Sequence, residues 1–340
     1  MNSARRTAVA AFAFAALLAA SATPPSTSSA PQRGGGRTWQ PMRSDNVADW
    51  HESERSDKFT GGSIERARFE AGEPDIRITV NVPSFRLTLW QNGREVKSYF
   101  VGVGMKDYPI VIGERQAREV IWNPSWIPPS SDWVRESGVR PGRAIPPGSK
   151  ANPLGKLKIP LGGGYLIHQA KGTGDLGNLV SHGCIRMMRA DLYDLAEKIV
   201  AARSLPVTKQ QIARAKAGTK TLAVALDPPV PVDINYDTAV VEGGTLHLYP
   251  DVYPDRRNAT VERLRAELIS SGVDESRLDE ETLREMLSRV TRRTQFVVPV
   301  AAVESGRVFE ESRSRPLVGR PDAPPRRTAV RRRTVTRVRT

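Results

Sequence analysis

The sequence contains a single cysteine, Cys184, among 340 residues, and only four histidines. One cysteine excludes an internal disulfide, and it also excludes a structural zinc site built from several thiolates. Free cysteines are commonly buried packing residues. A thiol close to histidines is instead a candidate nucleophile, because a neighbouring base favours the reactive thiolate. Cys184 directly follows Ser181, His182 and Gly183, and His168 lies sixteen residues upstream.

Apolar runs long enough to span a bilayer are also lacking, since a membrane helix needs about 20 apolar residues. The longest run covers residues 8–20, follows Arg5 and Arg6, and ends in the small residues Ala20, Ser21 and Ala22. This pattern predicts a secretory signal peptide at residues 1–22. We therefore expect an exported protein of the periplasm or cell envelope, with no transmembrane segment after cleavage. In an oxidising compartment an unpaired cysteine indicates a reactive thiol.

Acidic residues are under-represented, with 37 Asp and Glu against 51 Lys and Arg, which gives a net charge of +14. The excess is concentrated, because residues 313–340 hold ten arginines and one acid. The tail has no interleaved aromatic residues for base stacking, so nucleic-acid binding is not expected. We predict a disordered, arginine-rich tail at residues 306–340. By default it is solvated, and the functional alternative is docking on anionic envelope polymers.

The order of patterns along the chain predicts a β-rich domain. Residues 23–73 are predicted to be a flexible linker, because their first part is rich in Pro, Ser, Thr and Gly. Apolar and polar residues then alternate over 76–82, which is typical of a half-buried strand. Asn92-Gly93 between two apolar runs predicts a hairpin. Residues 108–160 are proline-dense and are predicted to be irregular, either a functional lid or a surface excursion held by its tryptophans.

Helical spacing appears at residues 191–202, and four strand candidates follow between 222 and 249. Two further helices are predicted within residues 259–293 and a last strand at 296–303. The predicted fold is therefore mainly β (α+β), with mixed sheets in a sandwich or barrel-like arrangement. A helical hairpin extension is placed at residues 257–305.

The segment from Ile167-His168 through Ser181-His182-Gly183-Cys184-Ile185-Arg186-Met187 resembles the signature of the L,D-transpeptidases with a YkuD-type catalytic domain. Asn152-Pro153-Leu154-Gly155 is similar to a recurrent segment of that family, and residues 229–253 are similar to the segment that closes its larger catalytic domains. Several separated motifs in the right order make the resemblance specific. It places the catalytic domain at residues 74–256. The order of histidine before cysteine is unlike that of papain-type enzymes.

The resemblance implies a reaction on peptidoglycan stem peptides. Cys184 would attack the tetrapeptide stem, expel D-alanine and hold the remainder as a thioester for transfer to an amine. His168 would be the general base, oriented by the backbone carbonyl of Gln169. Gly183 and Cys184 would offer amides to the oxyanion. No metal or cofactor is implied.

Three other residues complete the predicted site. His182 and Ser181 would shape the turn that carries the cysteine. Arg186 is proposed to contact a substrate carboxylate, because a guanidinium matches that group with two hydrogen bonds.

Two other functions remain compatible with the sequence. Water rather than an amine could resolve the thioester, which would make the protein an L,D-carboxypeptidase or a hydrolase that releases wall-linked protein. Alternatively, the chain could be a non-catalytic wall-binding module. A zinc site formed by His168, His182 and Cys184 lacks a recognisable spacing.

Overall fold

The computed structural model describes residues 75–318. The predicted signal peptide, the linker and most of the arginine-rich tail lie outside the described residues. Nine strands form the larger sheet: β1 (Ile76–Asn81), β2 (Arg86–Gln91), β3 (Arg94–Gly104), β4 (Gly113–Trp122), β5 (Leu157–Pro160), β6 (Leu166–Gln169), β7 (Leu179–Ser181), β8 (Ile185–Met187) and β9 (Leu222–Asn235). No helix within these residues is both long enough and apolar enough to cross a membrane.

The larger sheet closes on itself. Its strand order is β2-β1-β9-β4-β5-β6-β8-β3-β7, and β2 also pairs with β3, so eight strands form a ring with β7 attached to β3. Most neighbours are antiparallel, but β1–β9, β6–β8 and β3–β7 are parallel. The predicted fold class, mainly β with barrel-like mixed sheets, is confirmed.

The core of the ring follows from period-two patterning, because alternate side chains of a strand point to opposite faces. In β1 the residues Ile76, Ile78 and Val80 are buried, whereas the residues between them are partly exposed. Helix α2 (Arg189–Ala202) adds Leu192, Leu195, Ala196 and Ile199 to the same core. Helix α3 (Lys209–Ala217) begins at a Thr208–Gln211 capping box and was not predicted from the sequence.

A second, smaller sheet has the order β10-β11-β12-β13. It contains β10 (Ala239–Glu242), β11 (Thr245–Leu248), β12 (Thr294–Pro299) and β13 (Arg313–Pro316), with helices α4 (Val261–Ser270), α5 (Glu280–Ser288), α6 (Val300–Glu304) and α7 (Val308–Glu311). These elements share a separate core that includes Leu246, Leu268, Met286 and Phe296. The predicted helical hairpin is therefore α4 and α5 packed on a sheet.

Residues 123–155 connect β4 to β5 and will be called the connecting segment. The segment carries the short helix α1 (Asp132–Glu136), and Trp126, Val134 and Leu154 form a small buried cluster of their own. Asn152 donates to the carbonyls of Pro124 and Pro146, which ties the two ends of the segment together.

The structure corrects three predictions. The range 108–160 is not irregular throughout, because β4 pairs along most of its length with β9. Val300–Glu304 is helix α6 rather than the end of a strand, since Pro299 precedes it as the N-terminal cap residue. Disorder from residue 306 onward is wrong for 306–318, where α7 and β13 are formed and Leu317 is buried.

Candidate active site

Strands β6 and β8 bring the predicted catalytic residues to one face. They run parallel, with Ile167 opposite Ile185 and His168 opposite Arg186. Both isoleucines are buried in the ring core. Because side chains alternate along a strand, His168, Arg186 and Cys184 therefore share the opposite face.

The register also relates the thiol to the imidazole. Cys184 precedes β8 by one residue, so it lies level with Leu166, two residues before His168. With a strand spacing of about 4.8 Å and a rise of about 3.3 Å per residue, the two α-carbons are expected about 8 Å apart. Two side chains that lean towards each other can span this diagonal separation. Folding thus places together the histidine and the cysteine that are sixteen residues apart in the sequence.

A tight turn carries Cys184 out of β7. The hydroxyl of the buried Ser181 donates a hydrogen bond of 2.5 Å to the Cys184 carbonyl oxygen, which closes the turn. Gly183 has a φ of +97°, a conformation that a side chain disfavours. A β-carbon at this position would also lie 2.8 Å from the ring of Tyr165. Glycine is therefore required here on two independent grounds.

The same turn presents main-chain amides. Within residues 75–318 no acceptor is bonded to the amides of Gly183 and Cys184. Amides left free at a nucleophile are the usual donors to a developing oxyanion. The predicted oxyanion role of these two residues is compatible with this geometry and stays a prediction.

Arg186 forms the electrostatic centre of the site. Its Nη1 lies 3.2 Å from Oδ2 of Asp175, and both side chains are largely buried. Asp175 also accepts the main-chain amide of Lys171 at 2.8 Å, so the carboxylate is held from two sides. The Nε of Arg186 is buried without a partner in the described part of the chain. The guanidinium therefore retains a free donor while part of it is committed to Asp175.

His168 is buried, and desolvation together with the Arg186 charge lowers its pKa to about 4. The Gln169 main chain and Asp175 act in the opposite direction and favour the protonated ring. The Nδ1 atom nevertheless has no partner with hydrogen-bond geometry among the described residues. The ring is therefore neutral at physiological pH and has one nitrogen available to take a proton.

The Cys184 thiol keeps some exposure, yet the atoms around it are dense enough that burial raises its pKa. The main chain of Leu166 and the charge of Arg186 partly offset this by stabilising the thiolate. A raised thiol pKa beside a lowered imidazole pKa describes a neutral pair rather than a preformed thiolate–imidazolium pair. A neutral pair of this kind is suited to general-base catalysis, in which a proton moves to the imidazole as the sulfur attacks.

His182 belongs to an aromatic stack that joins the connecting segment to the turn that carries Cys184. Its ring stacks on Trp133 at 4.1 Å and 13°, and Tyr108 meets it edge-on at 4.6 Å. Trp133 in turn stacks on Trp126 at 6.3 Å. Burial, followed by the Arg186 and Lys171 charges, lowers the pKa of His182. Its environment is that of a packing residue beside Cys184.

Gln169 has a second contact that the sequence did not indicate. Its side-chain Oε1 accepts a hydrogen bond from the main-chain amide of Lys156 at 3.0 Å. The main-chain amide of Gln169 donates to the Leu154 carbonyl. A β-carbon at Gly155 would lie 2.6 Å from the Gln169 side chain. Gln169 therefore anchors the end of the connecting segment beside His168. Its predicted orienting carbonyl remains a prediction.

Sequence reasoning missed Asp175, Tyr165 and Trp133. Asp175 could have been singled out from the sequence, because it is the only acidic residue between His168 and Cys184. The contacts of Tyr165 and Trp133 depend on tertiary packing that no local pattern shows. No group of three or more His, Cys, Asp or Glu residues within 75–318 has the arrangement needed to hold a metal ion.

Comparison with known proteins identifies the domain that carries this site. Residues 75–231 match the family model described as the L,D-transpeptidase catalytic domain, YkuD. Residues 75–231 are therefore similar to YkuD-type L,D-transpeptidase catalytic domains. The match includes every residue of the site described above and ends within β9.

Individual relatives agree with the family match. "Probable L,D-transpeptidase YbiS" of Escherichia coli K12 is 30% identical over 126 residues, which is 36% of this chain and 41% of that protein. The same protein of E. coli O6:H1 gives the same values. The matched segment thus spans less than half the length of these curated relatives.

Solved structures with matching segments include an L,D-transpeptidase from Mycobacterium smegmatis, at 14% identity and a TM-score of 0.28, covering 47% of this chain and 58% of that one. The catalytic domain of the Enterococcus faecium L,D-transpeptidase matches at 16% identity and a TM-score of 0.30, over 48% of this chain and all of that domain.

Proposed function

We propose that the protein is an exported cysteine L,D-transpeptidase that remodels peptidoglycan. The proposal is supported chiefly by the position of His168 on β6 and of Cys184 directly before the neighbouring strand β8, within the segment that matches a YkuD-type domain. Peptidoglycan stem peptides are the proposed substrates. The export route through a signal peptide at residues 1–22 belongs to the same proposal.

The chemistry follows from the neutral pair. As Sγ of Cys184 attacks the carbonyl carbon of the third stem residue, the thiol proton moves to the basic nitrogen of the neutral His168 ring. The amides of Gly183 and Cys184 stabilise the oxyanion. His168 then gives its proton to the leaving amine of D-alanine, which breaks the peptide bond and leaves the thioester.

An acceptor amine resolves the thioester by the reverse sequence. The amine attacks the thioester carbonyl, His168 accepts the excess proton, and the thiol is restored as the sulfur leaves. When water takes the place of the amine, the product is a shortened stem and no cross-link. Arg186 supports both steps, because its positive charge stabilises the thiolate that forms and departs.

The test is incubation of the purified protein with soluble tetrapeptide-stem muropeptides, followed by mass spectrometry. The expected products are free D-alanine and cross-linked dimers, and Cys184→Ala should form neither. Shortened stems without dimers would indicate a hydrolase instead. A carbapenem mass adduct on the wild type, absent from Cys184→Ala, separates both enzymes from an inert wall-binding module.

A further inference from the structure

A cleft of about 450 Å³ lies where the ring of strands meets the second sheet and its helices. The ring of strands contributes Phe85, Lys106 and residues 177–179, the segment after β11 contributes residues 249–252, and the segment between α5 and β12 contributes residues 290–293. Pockets of this volume typically accommodate small molecules or a few peptide residues. Neither Cys184 nor His168 lines the cleft, which lies on the other side of the short strand β7 from the turn that carries the thiol.

The cleft carries an uncompensated positive charge. Lys106, Arg292 and Arg293 line it, and none of them forms an ion pair with another residue of 75–318. Asp251 is the one acid among the described residues of the wall. Its two oxygens accept hydrogen bonds from the Tyr236 hydroxyl and the Asn258 amide. Three unpaired cations around a concave site favour an anionic occupant.

The remaining wall is apolar and fits a peptide better than a bare ion. Leu179, Val252, Leu287 and Val290 line the cleft between the cations. An occupant that matches both features has carboxylates for the cations and aliphatic side chains for these residues. Peptides rich in alanine and free carboxylates have that character.

We propose that this cleft is an auxiliary binding site for a carboxylate-bearing peptide of the wall polymer, formed by residues other than those around the reacting thiol. The proposal rests on the proposed function for the identity of the polymer. The occupant would hold a second stretch of the substrate against the protein while Cys184 acts on a stem elsewhere. The contribution is to retention of the polymer and not to the chemical step.

The test measures co-sedimentation of the full chain, as the Cys184→Ala variant, with insoluble peptidoglycan. The variant prevents turnover, so binding is read without thioester chemistry. Adding Arg292→Gln and Arg293→Gln should weaken binding about tenfold at low salt, as expected for the loss of two exposed charge contacts. The matched control is Arg94→Gln/Lys209→Gln, which removes two exposed cations away from the cleft. It should change binding less than twofold.

Two treatments of the polymer identify the anion. Hydrofluoric acid removes phosphodiester-linked polymers and should leave the arginine-dependent binding intact. Amidation of the stem carboxylates should abolish it. Loss after the acid treatment would overturn the carboxylate assignment in favour of phosphate. Equal losses in the cleft and control variants, or no loss in either, would overturn the site.

The assignment of the cleft and the proposed reaction can be refuted independently of each other. On a soluble muropeptide, the Arg292→Gln/Arg293→Gln enzyme with Cys184 intact should release D-alanine at the wild-type rate. A wild-type protein that releases no D-alanine but binds peptidoglycan through the two arginines would refute the proposed function and leave the cleft assignment standing. Lys106→Gln, which changes the barrel side of the cleft, should weaken polymer binding in the same direction if the arginine variant is unstable.

Discussion

At the scale of single residues, Arg186 is the one charged side chain within residues 75–318 that lowers the pKa of Cys184, after the larger effects of burial and of the Leu166 main chain. The guanidinium lowers the pKa of the thiol, opposing the larger effect of burial. It is itself held by Asp175 in a largely buried ion pair. Removal of either partner alone leaves an unpaired charge in a poorly solvated place, which destabilises the protein as well as the site.

We expect Arg186→Gln to raise the pKa of Cys184 further and to slow alkylation of the thiol at neutral pH. The measurement is the rate of iodoacetamide modification from pH 6 to pH 10, followed by mass spectrometry. The profile of the variant should move to higher pH. Arg186→Lys keeps the charge and should stay near the wild-type profile. The double variant Arg186→Gln/Asp175→Asn controls for the unpaired aspartate, and a profile identical to wild type would contradict the assigned role.

His168 links the site to stability. Its pKa is about 4 in the folded protein against an ordinary value of 6.5, so the unfolded chain binds more protons between these values. The stabilisation is therefore fully present above about pH 6.5 and is lost as the pH falls towards 4. At 1.36 kcal/mol per unit this amounts to at most about 3 kcal/mol.

We expect His168→Gln to flatten the pH dependence of the free energy of unfolding across this window. Urea denaturation at pH 7.5 and at pH 4.5 measures it. The difference between the two pH values should be smaller in the variant than in the wild type by up to about 3 kcal/mol. An unchanged difference would mean that the buried ring is not neutral in the folded protein.

At the scale of elements, the connecting segment is joined to the catalytic turn through aromatic rings. Trp133 of α1 covers the face of His182. We expect Trp133→Ala to expose His182, raise the pKa of that ring towards its ordinary value and loosen the turn. The pKa change follows because burial is the largest cause of its depression. Activity on muropeptides should fall by roughly tenfold, within the range seen when catalytic groups are misplaced.

An NMR titration of the His182 ring, together with the muropeptide assay, tests this contact. Trp133→Phe keeps a stacked ring and should retain most of the lowered His182 pKa and most of the activity on muropeptides. Trp126→Ala removes the next ring of the stack, which does not touch His182 directly, and should have the smaller effect on the titration. An unshifted His182 in Trp133→Ala would show that the stack does not set its environment.

The sequence predicted elements wherever local patterning was strong. β1, the hairpin at Asn92-Gly93 and helices α2, α4 and α5 all have clear periodicity, and the structure contains each of them. β4 was missed because its core positions include the small Ala117 and most of its other residues are charged or polar. Its stability comes from pairing with β9, more than a hundred residues away along the chain.

The candidate site was likewise predictable from the sequence only in part. His168 and Cys184 could be named from residue type, order and motif. The parallel pairing of β6 with β8, which puts the two residues on one face, is a tertiary contact that no local pattern specifies. The burial that lowers the pKa of His168 and the Asp175 partner of Arg186 likewise depend on the folded ring.

At the scale of the whole molecule, a polar network holds the segment after β11 against the ring of strands, and the C-terminal strand connects the two cores. The Tyr236 hydroxyl donates to Asp251 and accepts from the Tyr253 amide, and the Tyr253 hydroxyl donates to the Gly104 carbonyl at 2.7 Å. Leu317 belongs to the ring core although β13, just before it, pairs with β12 of the second sheet. The junction thus fixes the cleft beside β7.

Asp237 is an unfavourable charge at this junction. Desolvation, followed by the nearby carboxylates of Glu267 and Asp233, raises its pKa to about 6 from an ordinary 3.8, and Arg263 only partly compensates. The folded state therefore holds a proton that the unfolded chain releases between about pH 4 and pH 6. Stability falls as the pH rises through that window, and the penalty is fully present above pH 6.

We therefore expect Asp237→Asn to stabilise the protein at pH 7.5, by at most about 3 kcal/mol for a shift of roughly two units. The main-chain hydrogen bonds between Asp237 and the Asn81 side chain do not involve the carboxylate and should persist. Below about pH 4 the gain should vanish, because the wild-type carboxyl is then protonated in both states. Thermal and urea unfolding at pH 3.5 and pH 7.5 measure the stability difference between the variant and the wild type at each pH. Equal stability of the two proteins at pH 7.5 would show that Asp237 is ionised and well solvated where the ring meets the second sheet.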